Sequence, residues 1–299
     1  MIAKQTQDTG TLTGLRSKPN IPKQLGRLAR KKPMGALGAF IIIIIVFAAV
    51  FAEIVAPYGP YEQHLADSLA APSSKYLLGA DNFGRDMLSR IIFGARISLY
   101  VSILAVTLAS ATGGILGLTA AYMGGRFDFY LLRFIDITMA FPSLVLALVI
   151  VATLGPSLNN VILAIAISQV SRDVRVIRSG GLSVKENDYV LAAHAMGAKG
   201  ARIIFRHMVP NVVSVWIVIA TAELGGAILA ESSLSFLGLG TPPPTPSWGA
   251  MLAGDSRRYM EAAPWLSIYP GLAITAAVFG FNLFGDGLRD VLDPRLRGR

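Results

Sequence analysis

The chain contains no cysteine, only three histidines and few charged residues. Without cysteine it can form neither a disulfide bond nor a thiolate metal site. The histidines lie far apart, and neither an H-E-x-x-H zinc motif nor a G-x-S-x-G nucleophile motif is present. A Gly-Asp-Gly sequence at Asp286 is only weakly similar to an aspartyl-protease motif. These absences disfavour an enzyme, which a peptidase assay on the isolated chain would test.

The G-x-x-x-x-G-K-[ST] phosphate loop is also absent. This loop uses backbone N–H groups and a lysine to hold the phosphates of ATP. We therefore expect the chain to bind no cofactor itself. Any energy from ATP would have to come from a partner protein.

What is abundant is apolar residues. They make up 53% of the 299 residues, charged residues only 15%, and the mean hydropathy is +0.56. This composition is too apolar for an ordinary soluble domain. The run at 36–56 extends over roughly 30 Å as a helix, which matches the hydrocarbon thickness of a bilayer. The sequence therefore predicts an all-α membrane protein.

Six hydrophobic segments predict six transmembrane helices. The fourth is short if it ends before Arg172, and Pro142 and Pro270 predict kinks. A cleaved signal peptide is the alternative for the first segment, but 35 polar and basic residues precede it, which favours a retained span. The predicted spans are residues 36–56, 97–123, 131–154, 158–170, 211–230 and 266–288.

Basic residues predict the orientation. If both termini are cytosolic, the inside segments hold 21 of the 27 Lys and Arg residues and the outside segments hold 5. This asymmetry follows the positive-inside rule and accounts for the net charge of +9 without nucleic acid. We expect a multi-pass protein of a bacterial or archaeal cytoplasmic membrane.

The predicted spans divide the chain into four parts. A cytosolic tail with a basic anchor at Lys31 and Lys32 comes first, and its residues 1–20 are predicted to be disordered. The first span with an extracytoplasmic loop, a core of five spans and a second cytosolic tail follow. The four parts are residues 1–35, 36–96, 97–288 and 289–299.

A polar insert at 172–210 separates the fourth and fifth spans. Ser183 and Glu186 have capping-box spacing, which predicts a helix starting at Val184 and ending at Gly197. A second helical run, 199–208, is predicted to end before Pro210. We interpret the pair as a cytosolic helix-turn-helix that docks a partner. A solvated connector is the alternative, and a DNA-reading motif is disfavoured because spans flank it.

One face of the first insert helix carries small residues that would let a partner approach closely. Tyr189, Ala193 and Met196 fall at i, i+4 and i+7, with Ala192 adjacent. This spacing predicts a docking face.

The insert resembles the EAA motif of ATP-binding-cassette importer permeases. The match is Leu191-Ala192-Ala193-x3-Gly197-x12-Pro210, in which Leu191 replaces the motif glutamate and His207 replaces a usual aliphatic residue. The resemblance implies that this short helix inserts into the ATPase subunit. The implied ATPase-coupling residues are Tyr189, Ala192, Ala193, Met196, Gly197, Arg202 and Pro210.

Three further blocks resemble permeases of the dipeptide, oligopeptide and nickel importer family, C-type subunit. One is the segment before the second span, one is the Glu231–Gly240 stretch with its Pro-rich continuation to Trp248, and one is the ending near Asp293. Trp248 is predicted at the membrane interface. The outer-loop signature residues of the first block are Asp81, Gly84, Arg85, Asp86, Ser89 and Arg90.

This resemblance implies half of a translocation pathway for di- or oligopeptides. The implied partners are a second homologous permease subunit, two ABC ATPases that carry ATP and Mg, and an extracytoplasmic substrate-binding protein. Nickel or another small solute is the alternative substrate. A gradient-driven secondary transporter is a rival, although no internal duplication supports it.

Two acidic residues are candidates for the translocation path, because ionisable groups at membrane depth are usually functional or paired. Glu223 lies about twelve residues into the fifth predicted span. Asp136 lies in the third. A structural hydrogen bond is the alternative for Glu223, and pairing with Arg133 is the alternative for Asp136.

Overall fold

The computed structural model describes residues 32–292. The first 31 residues and residues 293–299 lie outside this range, so the predicted disorder of 1–20, the anchor at Lys31 and the block at Asp293 are not described. Within the described range the chain is all-helical, with one isolated β-bridge between Ala80 and Asp86. This confirms the predicted all-α class.

The helices follow one another with short connections, apart from two longer irregular segments that follow α2 and α9. The elements are α1 (Pro33–Val50), α2 (Ala52–Val55), a 3₁₀ turn (Leu65–Asp67), α3 (Met87–Met123), α4 (Gly125–Met139), α5 (Ser143–Leu154), α6 (Leu158–Lys185), α7 (Asp188–Ala195), α8 (Gly200–Ile203), a π-helical turn (Ile204–Met208), α9 (Val209–Phe236), α10 (Trp248–Leu252), α11 (Asp255–Arg258) and α12 (Trp265–Leu292).

Within residues 32–292, four helical stretches are long and apolar enough to cross a bilayer, by length and composition: α1, α3, the stretch 200–236 and α12. The pair α4 and α5 passes the same test together, which gives up to five. The two helices of that pair are bent by 88°. The break falls just before Pro142, because proline disfavours a helical conformation at the preceding residue. The predicted kink is therefore sharp enough to make two helices.

Several predicted boundaries were wrong. The helix of the second predicted span begins at Met87, ten residues early, because Asp86 caps it by accepting a 2.8 Å hydrogen bond from the Ser89 amide. The fourth predicted span does not end near 170 but continues as α6 to Lys185. The helix start predicted at Val184 from the capping box was wrong for the same reason, because Ser183 lies inside α6.

The predicted stop before Pro210 was also wrong. A π-helical turn joins α8 to α9, and Pro210 stands in the first turn of α9, where its missing N–H and its fixed φ are tolerated. Residues 200–236 therefore form one continuous helical stretch.

Glycines allow the close packing of α3 against α6, which is the most extensive helix contact in the fold. A β-carbon on Gly117 would lie 2.8 Å from the Val174 carbonyl oxygen, and one on Gly113 would collide with the Asp173 β-carbon. Helices α1 and α12 meet in the same way at Gly35. The two long helices α9 and α12 complete the bundle.

Candidate functional site

The short helix α7 is anchored on the bundle by its buried side. Val190 is 3% exposed and packs with Ile203, Met208 and other apolar side chains at the ends of α3, α6 and α9. After α7 the backbone turns at Gly197, whose φ of +81° confirms the predicted left-handed conformation. The Ala198 amide closes the turn by donating to the Ala193 carbonyl over 3.1 Å.

The exposed side of α7 and the residue directly after it carry several apolar side chains, beside the exposed polar residues Asp188 and His194. Met196 is 82% exposed, Leu191 57% and Tyr189 44%, and Ala192 is exposed beside them. Ala193, in contrast, is only 5% exposed. The prediction that Ala193 shares an accessible face with Tyr189 and Met196 was therefore wrong, because α7 turns Ala193 inward together with Val190. A bulky substitution at Ala193 would disturb packing within the chain.

The two remaining coupling candidates lie beside one another. Arg202 and Pro210 line a shallow depression together with Ala201, Phe205 and Arg206. Phe205 is 69% exposed there. The exposed face of α7 and this depression are linked through the Tyr189 and His207 rings, whose centres lie 6.3 Å apart.

Glu223 stands halfway along α9, on the wall of two cavities. The smaller cavity, of about 440 Å³, is also lined by Asp286 and Arg289. The larger cavity, of about 640 Å³, extends along Phe141 and Ser233. Glu223 and Arg172 line both, so they mark the junction of the two cavities.

The environment of Glu223 leaves one structural hydrogen bond open, which its carboxyl group can make with the neighbouring carboxyl group of Asp173 on α6 when one of the two is protonated. Its side chain is 4% exposed, and among the described residues no other group donates to either of its oxygens. Arg172 approaches no closer than 4.0 Å, from Nε to Oε1. Asp173, which the sequence analysis missed, lies next to Glu223 and is fully buried. The sequence would have indicated Asp173 as a candidate if the fourth predicted span had continued past Arg172, because the aspartate then lies inside an otherwise buried helix.

Asp136 has a different neighbour from the one expected. Its carboxylate pairs with Arg175 of α6, and both side chains are about half exposed. Arg133 instead lies over the Phe129 ring, with 5.2 Å between its guanidinium carbon and the ring centre. The pairing with Arg133 was therefore wrong, because the bend between α4 and α5 brings Asp136 against α6. Neither cavity wall includes Asp136.

The six outer-loop signature residues form one cluster at the start of α3, four of them before the helix and two, Ser89 and Arg90, in its first turn. Asp81 is 6% exposed and accepts hydrogen bonds from the Phe83 and Arg85 amides, and from Arg85 Nε over 2.6 Å. Arg90 Nε lies 3.5 Å from the same carboxylate. Gly84, with φ of +70°, fits because a β-carbon would collide with the His64 carbonyl.

The same cluster joins the loop to the helix. Ser89 donates 2.6 Å to the capping carboxylate of Asp86 and accepts a 3.0 Å bond from the Tyr58 amide. Arg90 also donates to the Pro60 carbonyl over 3.1 Å. The side chains of this cluster form hydrogen bonds to other parts of the loop and to the start of α3. Their role in the structure is therefore to hold the loop in place.

The segment between α9 and α12 is held by buried polar bonds. Trp248 is 2% exposed and donates from Nε1 to the Ile91 carbonyl over 2.9 Å, and its place at the membrane interface stays a prediction. Its ring packs inside the bundle, where Gly94 leaves room for it. Glu231 is 1% exposed and accepts from Ser98 and Ser235.

Two families of membrane proteins match the sequence. Residues 113–298 match the family described as the binding-protein-dependent transport system inner membrane component. Residues 26–72 match the N-terminal transmembrane domain of oligopeptide transport permease C. The first match covers more than half of the chain.

Curated relatives are similar over nearly the whole chain. A dipeptide transport system permease protein DppC of Alkalihalophilus pseudofirmus is 44% identical over 90% of this chain and 88% of its own length. A di/tripeptide transport system permease protein DppC of Pseudomonas aeruginosa is 45% identical over 88% and 89%. A glutathione transport system permease protein GsiD of Escherichia coli is 41% identical over 91% and 90%.

Proposed function

The chain belongs to the family of binding-protein-dependent transport system inner membrane components, and from this premise we propose that it is one transmembrane subunit of an ATP-driven importer of di- or oligopeptides. The single observation that supports the peptide substrate best is the identity of 44% and 45% to dipeptide and di/tripeptide permeases along almost the whole chain. Nickel transport and gradient-driven transport are not favoured, because the relatives above carry peptide or glutathione in their names.

The topology we propose has six spans, with α6 as the one that composition alone does not identify. Its first ten residues are almost wholly apolar, its 28 residues extend about 42 Å as a helix, and it packs along α3. Two charges of its second half are paired with α4, Arg175 with Asp136 and Arg178 with Asp128. A helix whose charges are paired can cross the bilayer in contact with other helices.

Both termini are proposed to face the cytosol. Lys32 donates to Asp290 over 2.7 Å, so the start of α1 and the end of α12 lie at the same end of the bundle. The distribution of Lys and Arg supports the cytosol as the side of that end. The cytoplasmic membrane of a bacterium is the proposed location.

The coupling element we propose is α7 with the turn at Gly197. Its exposed side chains, with Met196 foremost, would insert into a partner ATPase, and Arg202 with Pro210 would border the contact. Because α7 is anchored by Val190 on the ends of α3 and α9, movement of the helix would be transmitted to those spans as a rigid-body shift. Exposed apolar groups on a short, anchored helix support this role.

The remaining partners are proposed from the family. They are a second homologous permease subunit, two ABC ATPases that hold ATP and Mg, an extracytoplasmic substrate-binding protein and the lipid bilayer, without nucleic acid. The chain itself would bind no cofactor. The outer-loop cluster around Asp81 would contribute to the surface that meets the binding protein.

Reconstituted uptake tests this function. The chain is purified with its partner permease and ATPases, placed in liposomes, and given the binding protein loaded with labelled dialanine. We expect uptake that needs both ATP and the binding protein. Uptake of dialanine driven by an ion gradient without nucleotide would contradict the proposal, and so would uptake of a nickel chelate in place of dialanine.

A further inference from the structure

Buried acceptor oxygens without a donor are concentrated at one place in the described part of the chain. Between residues 32 and 292 five buried side-chain atoms have no hydrogen-bond partner, and all five are oxygens. Gln169 contributes its Oε1, and Asp173 and Glu223 contribute both carboxylate oxygens. We call these three residues the acceptor cluster. Buried polar groups normally have partners, so such a concentration requires a physical reason.

The acceptor cluster borders the two cavities. Gln169 and Asp173 lie four residues apart on α6, which places them on one face of that helix. Gln169 lines the larger cavity, and Glu223 lines both. Asp173 lies behind Glu223, where Gly113 has no side chain to displace it. A group that passes from one cavity to the other therefore passes Glu223.

When both carboxylates of the cluster are ionised, they carry one negative charge more than the single nearby cation neutralises. Its two carboxylates face one cation, Arg172, which is 72% exposed in its side chain and too far from Glu223 to hydrogen-bond. The other charged groups that line the cavities are Asp286 and Arg289, which have opposite signs. An ionised carboxylate without donors is costly to bury. A single positive group with several N–H donors would satisfy both the charge and the oxygens.

We propose that the acceptor cluster binds the primary ammonium group of the transported substrate, the amino terminus of a peptide, at the junction of the two cavities. An ammonium group has three donors, no acceptor and one positive charge. It matches the cluster in charge and in hydrogen-bonding type, and Arg172 can yield to it without breaking a hydrogen bond. A carboxylate terminus would be repelled. This inference rests on the proposed function as a peptide permease.

Binding to the purified complex tests the site without the binding protein. The permease pair with its ATPases is placed in nanodiscs without nucleotide, and saturation-transfer NMR measures the binding of dialanine and of N-acetyl-dialanine, which lacks the ammonium group. We expect dialanine to bind and N-acetyl-dialanine to bind about tenfold more weakly or worse. Equal binding of the two peptides by the wild-type complex would overturn the proposal, whatever any variant does.

Variants then locate the site. Glu223→Gln keeps the size of the side chain and removes its charge, and Asp173→Asn does the same behind it. Each is expected to weaken dialanine binding about tenfold or more, while leaving the already weak N-acetyl-dialanine unchanged. Glu231→Gln is the matched control, since it is a buried glutamate on the same helix whose oxygens already have donors. Gel filtration checks that each complex is assembled.

The results separate failure of the site from failure of the function. If the wild-type complex imports dialanine but Glu223→Gln binds it normally, the site is wrong and the peptide function stands. If the wild-type complex imports no dialanine at all, the function itself has failed. Displacement of dialanine by sodium, measured against choline at constant ionic strength, would assign the cluster to an inorganic cation and overturn the inference.

Discussion

Ser98 of α3 donates a 2.8 Å hydrogen bond to the buried carboxylate of Glu231 on α9, 133 residues further along the chain. Ser235 donates to the other oxygen over 2.7 Å. The carboxylate therefore links two long helices inside the bundle. In this it differs from Glu223, eight residues earlier on the same helix, whose oxygens have no described donor.

Removal of the Ser98 hydroxyl should destabilise the chain. Ser98→Ala leaves one oxygen of Glu231 short of its strongest donor, and we expect a loss of about 1–3 kcal/mol in the free energy of unfolding. Thermal unfolding in detergent measures it. Thr107→Ala on the same helix is the control, because its exposed hydroxyl bonds only to the Ile103 carbonyl one turn earlier. An equal loss in both variants would refute a role for the buried link.

Gly117 should resist even the smallest side chain. An added methyl group would lie 2.8 Å from the Val174 carbonyl oxygen, so α3 and α6 would have to separate. We expect Gly117→Ala to cost about 1–3 kcal/mol of stability. Gly226→Ala is the matched control, since nothing lies within 4 Å of the new group. That control should be neutral or stabilising by up to about 1 kcal/mol, because alanine favours helices.

Met196 should be required for contact with the ATPases. Met196→Asp places a charge at the highly exposed apolar side chain directly after α7, where it would be buried by a partner at a cost. We expect the permease pair to form while ATPase subunits are lost in co-purification, together with peptide uptake. Met260→Asp is the control, because this methionine is 53% exposed in the segment between α11 and α12. Retention of the ATPases by Met196→Asp would contradict the proposed coupling role.

Acid should loosen the outer loop at Asp67. The pKa of Asp67 is lowered from 3.8 by a hydrogen bond from Lys75 and a further bond from Tyr76. Because the pKa is lowered, the ionised carboxylate stabilises the folded loop at every pH above the ordinary pKa. This stabilisation is lost as the pH falls through the lowered pKa. We expect the protection factors of the amides at residues 65–76, which are the intrinsic exchange rates at each pH divided by the observed rates, to decrease below about pH 4. Asp67→Asn should exchange fast already at neutral pH and show no further acid transition.

The same loop should also loosen in alkali. The pKa of Lys75 is raised from 10.5, chiefly by its hydrogen bond to Asp67. Because the pKa is raised, the charged ammonium group stabilises the folded loop at every pH below the ordinary pKa. This stabilisation is lost as the pH rises through the raised pKa. Protection factors at residues 65–76 that stay constant across the whole pH range would show that the pair does not hold the loop.

The sequence was sufficient for features that depend on neighbouring residues. The all-α class followed from long apolar runs, because an apolar segment in lipid must satisfy its own backbone. The turn at Gly197 followed from one glycine after a helical run, since only a residue without a β-carbon adopts positive φ freely. The short loop motifs identified the family because they are dense and specific.

Helix limits were less accessible, because contacts between distant segments decided them. The length of α6 depends on its packing along α3 and on Lys185, which donates to the Tyr122 carbonyl over 2.7 Å. Local signals at Ser183 indicated a helix start, but tertiary packing outweighed them. The same holds for the helix stop predicted before Pro210, because a π-helical turn continues directly into α9 there.

By itself the sequence determined that the protein lies in a membrane and to which family it belongs, because hydrophobicity and motif spacing are properties of consecutive residues. Only the tertiary structure decided that Ala193 points inward, that Asp136 pairs with Arg175, and that Gln169 and Asp173 stand opposite Glu223 without donors. Those relationships join residues tens of positions apart. They form only when the helices pack together and exclude water, so a pattern of neighbouring residues does not predict them.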